Sequence, residues 1–459
     1  MTKTTLTKNL TILLSFGLCV KLLGLYNKVI LTRTLELEGL TYYTKLLPIA
    51  TLFMSIASFS LSSVITQAVS KNITKKPYSN KDLMIKGFIT ANTTSLIVSV
   101  IHLTLNYLIC HYLLRMDELI KPFVFFIPLY FLTSYTAVFK GYFHGHDKMD
   151  IYAFGQLLEQ IIRIVLVFIL IKPQMEKSLI NGVVATILSL SIAEFFQNVY
   201  LVIRALFFTK ITNKTTIKSS YSEIIKPAIQ LTSNKLISSF TGFLEPIIFT
   251  QAFLLTGLSS KIADELYATI YGYSIPIIMT TSFITIAIET AILPSLTQAF
   301  NTKDNQKIDT LINKALLFSF FPAAIFSFVY FNFSSELTML FYNTTKGAYY
   351  IKIMAIPSFI AYFEGVFVSL LIATKNEKKL VKITILTNII HLILTFILVS
   401  IPAINALGIV ISISLLSSIT PLVLCYLANT NTTLNLKVSK LIIAIITYIL
   451  FMSLSIFLN

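Results

Sequence analysis

The sequence predicts an all-α polytopic membrane protein with about 13 transmembrane helices, arranged as two pseudo-symmetric six-helix lobes plus a C-terminal helix. Its composition is 55% hydrophobic and only 12% charged. Its mean hydropathy is +0.80, far above the range of soluble globular proteins. Apolar runs of about 20 residues, the length that crosses a bilayer, recur along the whole chain. Most of the chain is therefore expected to lie within a membrane.

The position of each helix follows from these apolar runs and from the polar residues between them. The alternation of basic and acidic connections, described next, supports the same assignment. The predicted helices lie near residues 9–33, 45–69, 83–112, 120–140, 152–171, 179–208, 223–256, 266–297, 308–331, 349–373, 379–400, 404–428 and 436–457. Counts of 12, 13 or 14 spans stay open.

Lysine and arginine are concentrated in every second connection. Residues 71–81, 204–218 and 375–382 carry basic clusters, whereas the intervening connections are sparser and more acidic, as at Glu36 and Asp117. Short cytoplasmic loops are the basic ones, so the N-terminus is predicted to be cytoplasmic. The net charge of +16 is spread over these loops and does not form one basic module, so a nucleic-acid partner is not expected.

A weak internal repeat divides the chain into halves. Residues 160–163 align with residues 388–391, and Pro48 aligns with Pro276 at the same separation. The predicted organisation is an N-terminal lobe at 1–208, a cytoplasmic linker at 209–222, a C-terminal lobe at 223–430 and a further helix within 431–459. Because each half has an even number of spans, the halves would be parallel repeats with a substrate site between them.

The first apolar run carries basic side chains on one face. At 100° per residue, Gly17, Lys21, Gly24 and Lys28 form a narrow stripe, with the two lysines about 10 Å apart along the axis. A cation near the bilayer centre costs about 2.5–3.5 kcal/mol, so the stripe suggests a wet, anion-attracting cavity. Alternatively, Lys28 and Arg33 lie near the helix end and extend to the interface. Lys21 is harder to explain in that way.

Other polar residues within the apolar runs fall into a basic and an acidic set. Glu159 and Arg163 stand four residues apart, which suits an internal ion pair as well as a cavity role for Arg163. A basic first half and an acidic second half suit a transporter that holds an anionic head group and a coupling cation. Each glutamate taken alone could equally be protonated and hydrogen-bonded to a neighbouring helix. The second-half residues are Glu245, Glu289, Glu364, Asn388 and His391.

Helix-loosening residues and the absence of enzyme motifs complete the pattern. Pro48, Gly272, Pro276 and Pro294, with Gly24 in the first helix, are candidate gating or kink positions, although kinks can also serve packing alone. No phosphate-binding glycine loop, zinc-protease motif or nucleophile elbow is present in the sequence. The sequence therefore predicts no enzyme, no metal site and no cofactor.

Several motifs resemble one family of membrane proteins. The stretch from Lys21 to Lys28, with Arg33, resembles the opening of the stage V sporulation protein B group of polysaccharide-biosynthesis flippases. Basic residues occupy the three matching places in that group. Further matches, in order along the chain, are residues 38–43, 139–145 with 159–160, 271–276, 293–295 and 401–405.

This resemblance implies membership of the multidrug/oligosaccharidyl-lipid/polysaccharide exporter superfamily, which includes the MurJ-like lipid II flippases. It implies two alternating lobes in a bacterial cytoplasmic membrane. Lys21, Lys28 and Arg33 would contact the pyrophosphate, and Glu245 and Asn388 would bind a coupling cation, Na⁺ or H⁺. Two departures are noted, since relatives usually carry a small residue at the place of Glu289, and longer relatives have two helices after the twelfth.

The expected function is export of an undecaprenyl-pyrophosphate-linked saccharide, such as a peptidoglycan precursor or another surface-polysaccharide unit of the cell wall. Its partners would be this polyprenyl-pyrophosphate lipid and the surrounding membrane lipids. One alternative is a cation-coupled multidrug exporter of the same fold, whose cavity should be lined by carboxylates. Another is a polytopic envelope glycosyltransferase or polymerase, which needs a catalytic acid and a sizeable outer loop. The longest predicted outer loop, 332–347, carries only Glu336.

Overall fold

The computed structural model describes residues 3–74, 80–212, 221–280, 282–302, 304–431 and Tyr448, and every regular element in these ranges is helical. The all-α membrane fold predicted above is confirmed. Nearly all of the predicted thirteenth helix, 436–457, and most of the predicted linker, 209–222, lie outside the described residues. By its packing the chain divides into two compact units, Met1–Ile247 and Ile248–Asn459.

The first unit consists of helices connected by short turns. A π-helical segment, Leu108–Leu113, ends α3, and a second one, Val167–Ile171, joins α6 to α7; a 3₁₀ turn, Asp117–Leu119, precedes α4. Helix α9 begins in this unit and continues across its boundary. The helices are α1 Lys3–Ser58, α2 Leu61–Thr74, α3 Asn80–Tyr107, α4 Ile120–Val124, α5 Ile127–Gly145, α6 Met149–Leu166, α7 Lys172–Met175, α8 Leu179–Thr212 and α9 Ser222–Leu254.

The second unit is built in the same way. A π-helical segment, Thr269–Ser274, lies between its first two helices. The helices are α10 Ser260–Ala268, α11 Ile275–Thr280, α12 Ser282–Asn301, α13 Asn305–Asn332, α14 Ser334–Tyr342, α15 Ala348–Ala361, α16 Glu364–Ala373, α17 Glu377–Val399 and α18 Leu407–Asn431. The short helix α14 occupies much of the stretch predicted as the longest outer loop.

The described residues contain ten helical segments long and apolar enough to cross a membrane, or eleven if the pair α4–α5, bent by 42°, forms one span. One of the ten, Phe16–Ser70, has 55 residues. At about 1.5 Å per residue it is about 80 Å long, more than twice the hydrocarbon thickness of about 30 Å. Along the described part of the chain, a helix overlaps each of the first twelve predicted spans.

The division of that long segment lies at Glu36, whose φ of 54° and ψ of −168° interrupt α1. The sequence suggested a loop of about a dozen residues here, and that expectation is wrong. The chain is helical on both sides of Glu36 and kinks at this one residue. Leu35 and Leu40, on either side, are fully buried. The backbone at Pro48, a predicted kink position, stays helical, and the next departure comes at Phe59 and Ser60, which have positive φ.

The predicted loosening of the eighth span coincides with irregular helix. Gly272 lies in the π-helical segment Thr269–Ser274, and Pro276 follows in α11. A π-helical turn misplaces one carbonyl relative to the α-helical ladder, and a proline removes one donor from it. Pro294 lies within α12. Whether these positions move during transport stays a prediction.

Outward-facing apolar side chains agree with a membrane location. Leu96, Ile169 and Phe318 are 59%, 65% and 68% exposed. Large exposed apolar surfaces are unfavourable in water, whereas lipid tails solvate them. The chain is therefore described as a multi-pass membrane protein.

Close contact between α2 and α5 depends on two glycines of α5. A Cβ at Gly141 would lie 2.7 Å from the carbonyl oxygen of Ser62 and 2.8 Å from Cβ of Ile65, and one at Gly145 would lie 2.6 Å from Cβ of Val69. Small residues allow backbones to approach in this way in membrane helix pairs. The two glycines therefore allow the backbones of α2 and α5 to pack closely in the first unit.

We expect Gly141→Ala to lower the free energy of unfolding by about 1–2 kcal/mol, because the overpacking penalty exceeds the gain in helix propensity. Gly242→Ala is the matched control, since a Cβ there meets no atom within 4 Å. Thermal unfolding of both variants in detergent checks this expectation. Equal melting temperatures for the two variants would contradict it.

Candidate functional site

A polar cavity of about 230 Å³ lies inside the first unit. At about 30 Å³ per water molecule, its volume corresponds to seven or eight waters, the scale of a phosphate or diphosphate group. It is bounded by the two parts of α1 that lie before and after Glu36, by α6 with the π-helical segment that follows, and by α8. Its lining residues are Gly24, Asn27, Lys28, Leu31, Tyr43, Gln160, Arg163, Val167, Ile171, Ser189 and Leu190.

Local helix geometry brings these residues together. Gly24, Lys28 and Leu31 are spaced by four and three residues, so they share one face of α1. Gly24 faces the side chain of Gln160, since a Cβ at Gly24 would lie 3.5 Å from Oε1 of Gln160, in ordinary van der Waals contact. The π-helical segment after α6 supplies Val167 and Ile171, which close the apolar side of the cavity.

Lys28 gives the cavity an uncompensated positive charge. Its Nζ lies 5.6 Å from the centre of the Tyr43 ring, a distance that allows a cation–π contact. Within the described ranges no carboxylate forms an ion pair with Lys28, and no acidic residue lines the cavity. The buried Oδ1 of neighbouring Asn27 also lacks a hydrogen-bond partner. A buried ammonium group without an anion is costly, so an anionic ligand would be favoured here.

Arg163 combines the two roles that its spacing suggested. Its Nη2 forms an ion pair with Oε1 of Glu159, one turn earlier in α6. Arg163 also lines the cavity, and its buried Nε has no hydrogen-bond partner in the structure. The guanidinium group therefore has donor capacity left for a ligand while one edge is held by a carboxylate.

A buried hydrogen-bond network lies behind this ion pair. Oε1 of Glu194 in α8 accepts a hydrogen bond of 2.5 Å from Oγ1 of Thr136 in α5. Nδ2 of Asn198 donates to the same Thr136 hydroxyl over 2.9 Å. Three helices thus fix the carboxylates that support Arg163.

The predicted cations do not all lie in this cavity. Lys28 and Arg163 line it with Gly24, whereas Lys21 and Arg33 are exposed on the same helix, α1, and do not line it. Glu245 is half-buried on α9 in the first unit, and Asn388 is half-buried on α17 in the second. The roles proposed for these residues stay predictions.

Residues of the cavity and its network that were not predicted include Asn27, Tyr43, Gln160 and Glu194. The first three are common polar or aromatic residues, and only the tertiary contacts single them out. Glu194 carries a signal that could have identified it, because it is an ionisable residue inside the apolar run 179–208.

Comparisons with known proteins agree with a transporter fold. A family model described as polysaccharide biosynthesis protein matches residues 6–300. A second model, described as MatE, matches residues 239–397. The chain is 23% identical over 424 residues to stage V sporulation protein B of Bacillus subtilis (strain 168), covering 90% of this chain and 81% of that protein. It is 21% identical over 334 residues to sporulation protein YkvU of the same organism, covering 71% and 73%.

Solved structures show the same fold at low sequence identity. One is an inward-facing conformation of a multidrug resistance MATE family transporter of the MOP superfamily, with a TM-score of 0.72 and 14% identity over 90% of this chain and 94% of that one. Another is a MOP superfamily transporter from Pyrococcus furiosus, with a TM-score of 0.66 and 15% identity over 92% and 95%. With a family model matching residues 6–300, well over half of its length, the chain belongs to the polysaccharide biosynthesis protein family.

Proposed function

We propose that this protein moves a polyprenyl-pyrophosphate-linked saccharide across the bacterial cytoplasmic membrane by alternating access of two lobes. The N-terminus would be cytoplasmic, with lobes at 1–208 and 223–430 joined by a cytoplasmic linker at 209–222. A further helix would lie within 431–459. The cargo would be a peptidoglycan precursor or another surface-polysaccharide unit.

The observation that carries this proposal is that Lys28 and Arg163 both line one cavity, which has no acidic lining residue. A diphosphate is the part of the cargo that matches this charge, and the cavity is of the size of that group. The saccharide and the lipid tail would lie outside it. Lys21 and Arg33, exposed on the same helix, would contact the head group on its way in or out.

Coupling and gating extend the proposal beyond the cavity. Glu245 and Asn388 are candidates for binding a coupling cation, Na⁺ or H⁺. Gly272 and Pro276 would provide the bending needed for gating, because the helix is already irregular there. Pro48 and Pro294 are further candidates within continuous helices.

A second candidate function is cation-coupled export of drugs, favoured by the fold shared with multidrug transporters. Cationic drugs require a negative cavity, and the cavity described here is positive. One similar structure is described by the reverse polarity of its binding pocket, which is said to suggest a different function for that transporter. Pocket charge is therefore a suitable property for separating the two candidates.

The test is reconstitution into liposomes with a fluorescent polyprenyl-pyrophosphate saccharide in one leaflet and a cationic dye in separate vesicles. We expect the lipid-linked saccharide to cross faster than in protein-free vesicles, with and without a sodium gradient or a voltage. Protein-dependent dye efflux with no movement of the saccharide would overturn the proposal in favour of drug export.

A further inference from the structure

Two neighbouring carboxyl groups are largely buried inside the first unit. Glu159 is 7% exposed and Glu194 is 6% exposed. Their negative charges would repel each other, and Arg163 is the cation that pairs with Glu159. If both were ionised, the group would carry an excess negative charge in a buried site, which is strongly unfavourable.

The directions of the hydrogen bonds place one proton in this group. Asn198 donates to the Thr136 hydroxyl, so that hydroxyl donates its own proton to Oε1 of Glu194. Arg163 donates to Glu159. Because two buried carboxyl groups share this one guanidinium group as a countercharge, one proton on the pair balances the charge, and the remaining oxygen of Glu194 is the position that fits.

Polar and titratable side chains surround the carboxyl pair. Gln197, one turn beyond Glu194 on α8, is 1% exposed, and neither of its amide atoms has a partner in the structure. It packs beside Gly155, one turn before Glu159, where a Cβ would lie 3.4 Å from its Cγ. Titratable groups on the neighbouring parts of α1, α5 and α6 include Lys28, Tyr43, the fully buried Lys45, Lys140, His144 and Tyr152.

The polar network also connects two cavities of the first unit. At one end, Arg163 lines the cationic cavity. At the other end, Asn198 lines a larger cavity of about 600 Å³ between α3, α5 and α8, and its buried Oδ1 has no partner. Asn198, Thr136 and Glu194 are joined by hydrogen bonds, and the ion pair of Glu159 with Arg163 continues this polar series to the cationic cavity. A proton that leaves or reaches the carboxyl pair therefore has polar groups along its path to either cavity.

We propose that Glu159 and Glu194 hold one exchangeable proton, and that this proton and an organic diphosphate in the cationic cavity bind together. This inference deepens the proposed function and rests on it for the identity of the anion. It assigns the coupling proton to the first unit, at residues distinct from Glu245 and Asn388.

The link between the two ligands is Arg163. An anion in the cavity attracts the guanidinium group away from Glu159, which then lacks its countercharge. Retaining or gaining a proton on the carboxyl pair removes that excess charge, so occupation of the cavity favours protonation. By reciprocity, protonation of the pair strengthens anion binding by the same factor. The only covalent change is the transfer of one proton from hydronium to a carboxyl oxygen, in which an O–H bond of hydronium breaks and leaves water.

The proton itself is tested by infrared spectroscopy on the purified full-length protein without ligand. We expect a carbonyl stretch of a protonated carboxylic acid that shifts in deuterium oxide and is lost in Glu194→Gln. This substitution is isosteric, and the amide can still accept from Thr136 and donate to Glu159. Glu289→Gln, which removes a partly buried carboxyl group of the second unit, should leave that band unchanged. A band that persists in Glu194→Gln would overturn the proton site.

The linkage is tested by the affinity for farnesyl pyrophosphate at several pH values. Where the pair loses its proton, wild-type affinity should fall by up to about tenfold per pH unit, since one proton is coupled. Glu194→Gln should show only the dependence that arises from the ligand's own ionisation. Identical slopes would overturn the linkage. If the infrared band behaves as expected but no anion binds at any pH, the proposed function and the linkage fail and the proton site stands.

Discussion

Replacing Lys28 with alanine should reduce the transport of lipid-linked saccharide by roughly tenfold to a hundredfold, because a charge-assisted hydrogen bond is worth about 1.5–3 kcal/mol. Lys28 has no ion-pair partner among the described residues, so its charge is available for a ligand. Removing it also relieves the cost of a buried cation, and the protein should insert and fold normally. The initial rate in proteoliposomes, at equal amounts of inserted protein, measures the effect.

Two variants make this result specific. Lys28→Arg retains the charge and should keep most of the transport rate, although its planar donor geometry differs. Lys346→Ala, which removes an exposed lysine of the second unit, should transport at the wild-type rate. If Lys28→Ala also transported at the wild-type rate, the cationic cavity would have no role in recognition.

Replacing Arg163 with leucine is expected to destabilise the first unit by about 3–5 kcal/mol near neutral pH, because it leaves the Glu159 carboxylate buried without a cation. Acidification should restore part of this loss, since the stranded carboxylate then takes up a proton. The sign and size of this stability change follow from the ion pair between Arg163 and Glu159, whose side chains are only 24% and 10% exposed. Thermal unfolding in detergent at two pH values measures the effect.

The matched variant is the double substitution Arg163→Leu with Glu159→Gln. It removes both charges, and most of the stability should return, as is typical when both partners of a buried pair are replaced. Transport should stay low, because the cavity still lacks its guanidinium group. A double variant no more stable than Arg163→Leu alone would show that the ion pair does not hold this part of the fold.

The fold could be predicted because its determinants are local. Apolar run length and the basic connections locate the helices without any knowledge of their packing. The interruption at Glu36 could not be located in this way, since Leu-Glu-Leu-Glu is typical of a polar turn, whereas Leu35 is fully buried by tertiary contacts. The π-helical segments escaped prediction for the same reason, since they depend on the neighbours against which the helices pack.

The site could be predicted only where one helix carries it. Lys28 and Gly24 follow from spacing along α1, and the Glu159–Arg163 pair follows from spacing along α6. That these two helices share a cavity, closed by Tyr43 and α8, is a tertiary fact. Lys21 belongs to the same sequence stripe as Lys28 but is exposed, because the cavity contacts this part of α1 only from Gly24 to Leu31.

The most direct measurement is an electron cryo-microscopy map of the full-length protein with undecaprenyl pyrophosphate bound. We expect phosphate density inside the first unit, within hydrogen-bond distance of Lys28 and Arg163. Phosphate density only at sites remote from both residues, in a map that resolves their side chains, would contradict it.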